Sequence, residues 1–267
     1  MISPQSVTGY RSLMRQVFNV FAALFIAIGL MLTTGCKEKG MDLPPEGYFT
    51  GQQLVLAKAI RDGNIGDIKR LAKETDLNSP GEHDMTLLFY ALATSTHDNA
   101  TPERLQIATE LVKAGADPLQ PRPNGGASPA EWMAKLDNGI WLKALLDGGL
   151  SPDARGKVDE LPIIFQTSKA SNSETLKVLV AHGANLEARD ILGQTVVMDA
   201  FRYSSFDNVK YLLNNGANPN PINKKGVSLV EMVSKEIKSS KEGGEYNDEC
   251  LTIKKMMIER GVKWPRS

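Results

Sequence analysis

The sequence predicts an all-α fold, a solenoid of about six helix-turn-helix repeats with short finger loops. The first observation behind this prediction is a phrase that occurs twice, as Leu-Lys-Val-Leu-Val-Ala-His-Gly-Ala-Asn and as Val-Lys-Tyr-Leu-Leu-Asn-Asn-Gly-Ala-Asn. The second is its spacing, because Gly183 and Gly216 are 33 residues apart, and Gly149 and Gly115 precede them at steps of 34 residues. A fixed period of this length indicates stacked repeats, each of which buries its apolar face against its neighbours.

Each copy of the phrase has the pattern of a helix followed by a forced stop. Apolar residues recur at helical spacing from Leu176 to Val180, and Gly183 can adopt the left-handed conformation that ends a helix. The loop that follows lies between Asn185 and Thr195, and its last part, from Asp190, reads Asp-x-x-Gly-x-Thr. This loop and the period resemble the ankyrin-repeat family. The resemblance implies a module that binds other proteins through its fingers and its concave face.

The other repeats follow the same register along the chain. The first is expected from residue 51, and the later ones begin their first helices near Thr86, Ser128, Leu161, Thr195 and Ser228. Ser128 and Glu131 have the spacing of a capping box, in which each side chain bonds the other residue's backbone N–H. Two repeats exceed the period, because the second has a long turn at 94–103 and the sixth has an insertion at 238–246.

The first 35 residues are predicted to be a lipoprotein signal peptide. Two arginines precede an uncharged and largely apolar run at 16–35, which is typical of an export signal or an N-terminal anchor. The run ends in Leu-Thr-Thr-Gly-Cys36, which resembles the bacterial lipobox and implies that Cys36 is lipidated and becomes the mature N-terminus. An uncleaved transmembrane anchor is the alternative. Lys37, where aspartate would signal retention at the inner membrane, implies the periplasmic face of the outer membrane.

Three segments are therefore expected: a signal peptide at 1–35, a flexible spacer at 36–50 and a repeat domain at 51–267. Without residues 1–35 the chain has 29 basic and 31 acidic residues, a net charge of 29 − 31 = −2. Strong electrostatic binding to nucleic acid is not expected at this charge. With Cys36 acylated, Cys250 would have no partner for a disulfide in the same chain.

No arrangement of side chains in the sequence predicts catalysis. His182 lies at the end of a repeat helix, His83 lies where a finger tip is expected, and Cys250 has no histidine or second cysteine at a redox spacing. We therefore expect no catalytic residue, no metal site and no cofactor. The alternative is an enzyme or metal carrier that uses the two insertions, around His97 and Tyr246.

The resemblance also implies which residues face a partner. The position that follows the entry of each first helix is occupied by Lys58, Tyr90, Trp132, Asp199 and Met232, and by Phe165 if the fourth copy carries one extra residue. Tyr90, Trp132 and Phe165 would form a row of aromatic rings, and aromatic residues are enriched at the energetic centres of interfaces. The alternative is that these rings pack between helices. Arg155 and Arg189 are predicted in fingers, where exposed charges at a rim would affect association.

The sequence favours a non-enzymatic protein-binding lipoprotein that faces the periplasm. Family resemblance offers one specific function, because small envelope lipoproteins of this kind resemble immunity proteins that neutralise lipase effectors of type VI secretion. Its partner would then be a lipase toxin, and its membrane contact would be the lipid anchor. A second function from resemblance is that of the periplasmic ankyrin proteins that support a catalase under oxidative stress.

Overall fold

The computed structural model describes residues 43–95, 100–122, 126–169 and 173–265. These residues form six consecutive pairs of helical elements. The first members of the pairs are α1 (Gly51–Asp62), α3 (Leu87–Ala93), α5 (Pro129–Ala134), a 3₁₀ helix (Ile163–Lys169), α8 (Val196–Arg202) and α10 (Leu229–Ser239). The second members are α2 (Ile65–Leu71), α4 (Pro102–Lys113), α6 (Ile140–Asp147), α7 (Glu174–Ala181), α9 (Phe206–Asn214) and α11 (Glu245–Glu259). The predicted all-α solenoid is confirmed.

The helices begin and end where the sequence signals lie. The Thr86 hydroxyl caps α3 by accepting from the backbone N–H of Phe89 at 3.2 Å. Ser128 and Glu131 form the expected capping box at α5, and such caps are typically worth about 1 kcal/mol each. The repeat glycines that follow the second helices all have positive φ, as a left-handed stop requires. They are Gly115, Gly149, Gly183, Gly216 and Gly261.

The two members of each pair form two layers with the apolar core between them. The first helices pack side by side from α1 to α8, and the second helices do so from α2 to α7 and again from α9 to α11. Finger loops connect each pair to the next, and single antiparallel bridges close four of them. The bridges join Arg122 to Gly126, Arg155 to Pro162, Arg189 to Thr195 and Ile222 to Ser228. The first helices and the fingers together form one face, called here the inner face.

The folded part starts earlier than residue 51. Residues 43–50 were expected to belong to the flexible spacer, but Phe49 is only 2% exposed and Leu43 packs against the core. The carbonyl oxygen of Tyr48 accepts from the backbone N–H of Glu82 at 2.8 Å, in the first finger. The spacer prediction is therefore wrong for this segment, because its apolar side chains do find a surface to cover.

The N-terminal predictions fall outside the described residues. These include the signal peptide at 1–35, Cys36 and the first part of the spacer. Among the residues that are described, no helix is both long and apolar enough to cross a membrane. The lipoprotein signal stays a prediction.

Substituting valine for Gly183 or Gly216 should lower the free energy of unfolding by about 1 to 2 kcal/mol, the usual cost of a left-handed backbone for a residue with a Cβ. Their φ angles are 83° and 99°, and an added Cβ would meet no atom within 4 Å, so the backbone alone sets the cost. Chemical denaturation followed by circular dichroism measures it. Gly66→Val within α2 is the control, with little expected loss, and an equal loss there would contradict the prediction.

Candidate binding face

Two of the three predicted aromatic anchors lie in the core. Tyr90 is 0% exposed and Phe165 is 1% exposed. The Tyr90 ring lies edge-on to Phe49, with 5.4 Å between centroids, and its hydroxyl donates to the carbonyl oxygen of Leu43 at 2.8 Å. Phe165 lies on the 3₁₀ helix, whose three residues per turn change the direction of each side chain relative to an α-helix. The prediction of an exposed aromatic row is therefore wrong.

Trp132 is half-buried and keeps part of its ring on the inner face. It stacks on Phe89 with 5.4 Å between ring centroids and an interplanar angle of 9°. The Arg122 guanidinium lies 4.8 Å from the centroid of the same Phe89 ring. Cation–π and stacking contacts of this kind restrict side-chain motion. Trp132 is thus a partly exposed and immobilised aromatic side chain, which suits a contact residue.

Asp199 is buried rather than presented to a partner. It is 4% exposed, and its carboxylate forms an ion pair with the half-exposed guanidinium of Arg202. Burial raises the pKa of Asp199 above its ordinary value, and the Arg202 charge offsets part of this rise. Met232 is half-buried in a cleft of about 450 Å³ between α8 and α10, next to Phe201 and Tyr246. Lys58 is half-buried and forms an ion pair with Glu46 at 3.0 Å.

The two finger arginines are exposed, but their donors hold the fingers together. Arg155 donates to the carbonyl oxygen of Glu160 at 2.9 Å, within one finger. Arg189 donates to the carbonyl oxygen of Gly193 at 2.5 Å and to that of Ile222, in the next finger, at 2.9 Å. The role of both arginines in partner contacts stays a prediction. Because Arg189 bonds two neighbouring fingers, Arg189→Ala would also remove hydrogen bonds that hold these fingers together.

Sequence reasoning missed the apolar side chains at the finger tips. Val158, Ile191 and Ile222 are 68%, 77% and 53% exposed, in three consecutive fingers. The sequence carried a signal for the middle finger, because Ile191 and Leu192 stand between Asp190 and Gly193 in a tight turn. Turns of this kind usually carry polar residues. An apolar pair at such a position is a candidate contact for another molecule.

A second cleft lies where the middle finger meets the inner face. It has a volume of about 270 Å³ and lies between the finger that contains Asp159 and the one that contains Ile191. It is lined by Asp159, Leu161, Phe165, Asp190, Ile191, Leu192, Asp199, Arg202 and Tyr203. Arg202 also lines the cleft beside Met232, so the two clefts are neighbours. The inner face of the last three repeats therefore combines depressions with exposed apolar tips.

His182 and Cys250 occupy structural positions within the repeats. His182 ends α7, where its Nδ1 lies 2.8 Å from the carbonyl oxygen of Val178 and its Nε2 lies 3.3 Å from Asp147. Cys250 is buried, and burial together with the nearby glutamates raises the pKa of its thiol to about 11. Such a thiol is protonated at neutral pH and is a poor nucleophile. His97 lies outside the described residues, and among those described no three metal-binding side chains cluster.

Comparison with known sequences identifies one family model. The model for ankyrin repeats, in three copies, matches residues 132–223. Protein PhlB of Serratia liquefaciens is 28% identical over 186 residues, which are 69% of this chain and 77% of PhlB. A putative ankyrin repeat protein, L86 of Acanthamoeba polyphaga mimivirus, is 25% identical over 189 residues, which are 67% of this chain but only 28% of L86.

Solved structures extend the likeness beyond the segment that the family model matches. The ankyrin repeat domain of Bcl-3 superposes with a TM-score of 0.58 at 23% identity, over 78% of this chain and 86% of that domain. An ankyrin repeat domain from Acinetobacter baumannii gives a TM-score of 0.53 at 21% identity, over 78% of this chain and 98% of that one. At these identities the likeness concerns the fold.

Proposed function

We propose that the chain is an ankyrin-repeat scaffold that binds protein, and that it acts as a lipid-anchored immunity protein in the bacterial envelope. In this function it would bind a toxic secreted lipase on its inner face and neutralise it. The single observation that carries the proposal is the inner face of the last three repeats, where apolar finger tips and two clefts are presented by a rigid solenoid.

The envelope location rests on the N-terminal sequence. A positively charged start, an apolar run and Gly35-Cys36 occur in the order that a lipoprotein signal requires. A single acyl chain gives only weak and reversible membrane binding, so stable anchoring needs more than one chain. A lipoprotein cysteine with several acyl chains meets this need. The anchor would keep the scaffold at the membrane, where a lipase finds its substrate.

Neutralisation by binding makes a physical demand that this face can meet. The inhibitor must occupy nearly all of the toxin, and a dissociation constant of about 1 nM corresponds to about −12 kcal/mol. In most interfaces, a few buried apolar or aromatic anchors provide much of such an energy. Trp132 and the exposed finger-tip side chains are residues of that kind. The similarity to PhlB supports one part of the proposal, a function in bacteria, because it extends over 77% of a protein from a bacterium.

The proposal requires a lipase gene next to the gene for this chain, and the test uses the product of that neighbouring gene. Bacteria that export this lipase to the periplasm should lose viability, and co-production of the full chain should restore it. Purified lipase and chain should then form a stable complex, and Trp132→Ala should weaken it. If cells are not protected and no complex forms, the lipase proposal is wrong. Protection against peroxide with an adjacent catalase gene would instead support the stress function.

Lipidation is tested separately. Cys36→Ser should abolish incorporation of labelled fatty acid and leave the precursor at its full length, because the lipid is attached to the thiol of that residue. Cys250→Ser is the matched control and should keep normal labelling. Labelled Cys36→Ser protein would contradict the lipoprotein prediction.

A further inference from the structure

Exposed aliphatic side chains are concentrated on the last three fingers. Among the described residues, ten large hydrophobic side chains are exposed, and half of them belong to these fingers. They are Val158, Ile191, Leu192, Ile222 and Val227, which we call the fingertip patch. Single exposed aliphatic residues are common, but a set on neighbouring loops marks a binding surface.

The fingers that carry most of this patch are held rigidly against each other. The backbone N–H of Lys224 donates to the carbonyl oxygen of Leu192 at 3.0 Å, and its Nζ donates to that of Ile191 at 3.0 Å. Arg189 adds a hydrogen bond from the first of these fingers to Ile222 in the second. The fingers also touch at Gly193, where an added Cβ would lie 2.7 Å from the Lys224 side chain. A rigid surface loses little conformational entropy when a partner binds.

The cleft next to the fingertip patch carries a net negative charge. Three carboxylates line it, those of Asp159, Asp190 and Asp199, against the single guanidinium of Arg202. Asp190 uses both oxygens within its own finger, where they accept from Leu192 and Gln194. Arg202 is already paired with Asp199 and lies 5.1 Å from the Tyr203 ring centroid. The cleft therefore has a charge of about −2 at neutral pH.

Burial makes this charge costly and so favours a cationic occupant. Asp199 is 4% exposed, and burial raises its pKa although Arg202 is its partner. A second cation near Asp199 would stabilise the ionised carboxylate, whereas an anionic partner would be repelled. The apolar walls at Leu161, Phe165 and Ile191 suit the aliphatic stem of a long side chain. Among the described residues the carboxylates do not cluster as metal ligands, so a side chain fits better than an ion.

We propose that this cleft receives a lysine or arginine side chain of the protein partner, while an adjacent apolar side chain of that partner lies on the fingertip patch. The inference rests on the protein-binding function proposed above but not on the identity of the toxin. It gives the partner a recognisable chemistry: a basic residue beside an aliphatic or aromatic one. Arg202, at the border of the two clefts, would separate this pair from side chains that enter the cleft beside Met232.

The test uses a phage-displayed library of random peptides, selected on the purified full chain in detergent. Enriched peptides should contain Lys or Arg next to an aliphatic or aromatic residue. Affinities are then measured by fluorescence anisotropy for one such synthetic peptide and for its Lys→Met or Arg→Met analogue. We expect the analogue to bind about tenfold more weakly, as at an interface anchor.

Matched variants of the chain assign the effect to the cleft and the patch. Asp159→Asn, Asp199→Asn and Ile191→Ser should each weaken the peptide by about tenfold. Asp248→Asn and Ile258→Ser, exposed on α11, should leave its affinity unchanged. Asp159 lies on an exposed finger, so its variant keeps the test valid if Asp199→Asn folds poorly. Circular dichroism checks the fold of each variant.

Several outcomes would overturn the inference: enrichment of peptides without a basic residue, no enrichment at all, or unchanged affinity in the three site variants. The lipase assay runs in parallel and separates the two proposals. If basic peptides bind at the cleft but cells are not protected from the lipase, the proposed toxin is wrong and the proposed binding site in the cleft is supported. If cells are protected and the site variants change neither peptide affinity nor protection, the proposed binding site is wrong and the proposed toxin is supported.

Discussion

Replacing Phe165 with alanine should lower the free energy of unfolding by about 3 to 5 kcal/mol, the usual cost of emptying a large aromatic site. The ring is 1% exposed, on the 3₁₀ helix that packs between α5 and α8. In a solenoid each repeat is stabilised mainly by its neighbours, so a cavity in the fourth repeat weakens the coupling of the repeats on both sides. Urea denaturation followed by circular dichroism measures the loss.

Tyr203→Ala provides the comparison, because this aromatic residue directly follows α8 and has 49% of its surface exposed. The free energy of unfolding of this variant should differ from that of the unmodified chain by about 0.5 kcal/mol or less, as for most surface substitutions. If Phe165→Ala were as stable as the unmodified chain and instead lost affinity for a partner, the sequence-based assignment of Phe165 to the binding face would be right after all.

Tyr90→Ala should have a comparable effect, a loss of about 3 to 5 kcal/mol, because it removes a fully buried ring next to Phe49. Tyr90→Phe keeps the ring and deletes the hydroxyl that donates to Leu43. A single hydrogen bond typically contributes about 0.5 to 1.5 kcal/mol, so the smaller change should cost about 1 kcal/mol. The pair of variants therefore separates packing from hydrogen bonding.

Hydrogen exchange gives an independent measurement of the same contact. Backbone amides at 43–50 should exchange faster in Tyr90→Ala than in Tyr90→Phe, because the segment loses the ring that covers Phe49. Amides in α11, at the other end of the chain, serve as the internal control. Equal exchange at 43–50 in both variants would mean that the segment is held by other contacts.

The repeat architecture was predictable because it depends on local chemistry that recurs. Gly183 and Gly216 mark helix ends by a backbone conformation that glycine adopts at little cost, and the structure places both in it. The Ser128 and Glu131 capping box is equally local, since donor and acceptor lie three residues apart. Features of this kind need no knowledge of the remaining chain.

The candidate binding face was less predictable because it depends on the exact direction of each first helix. Tyr90 and Phe165 were placed by register, yet a shift of one residue moves a side chain from the groove into the core. For Phe165 the 3₁₀ geometry changed the register. For Tyr90 the sequence did not reveal the contacts, because Phe49 and Leu43 belong to the segment that is predicted to be a spacer. Only tertiary contacts reveal such a partner.

The packing of residues 43–50 also limits how far the folded repeats could lie from a lipid on Cys36. Six residues would then lie between the lipidated Cys36 and the first packed residue, Leu43, and the seven steps between their Cα atoms span at most about 25 Å. With the spacer free to residue 51 the reach would be about 50 Å, and the accessible volume, which scales with the cube of the reach, would be roughly eightfold larger. A short linker raises the effective concentration of the scaffold at the membrane surface. A target that attacks lipid would therefore meet its binder at close range.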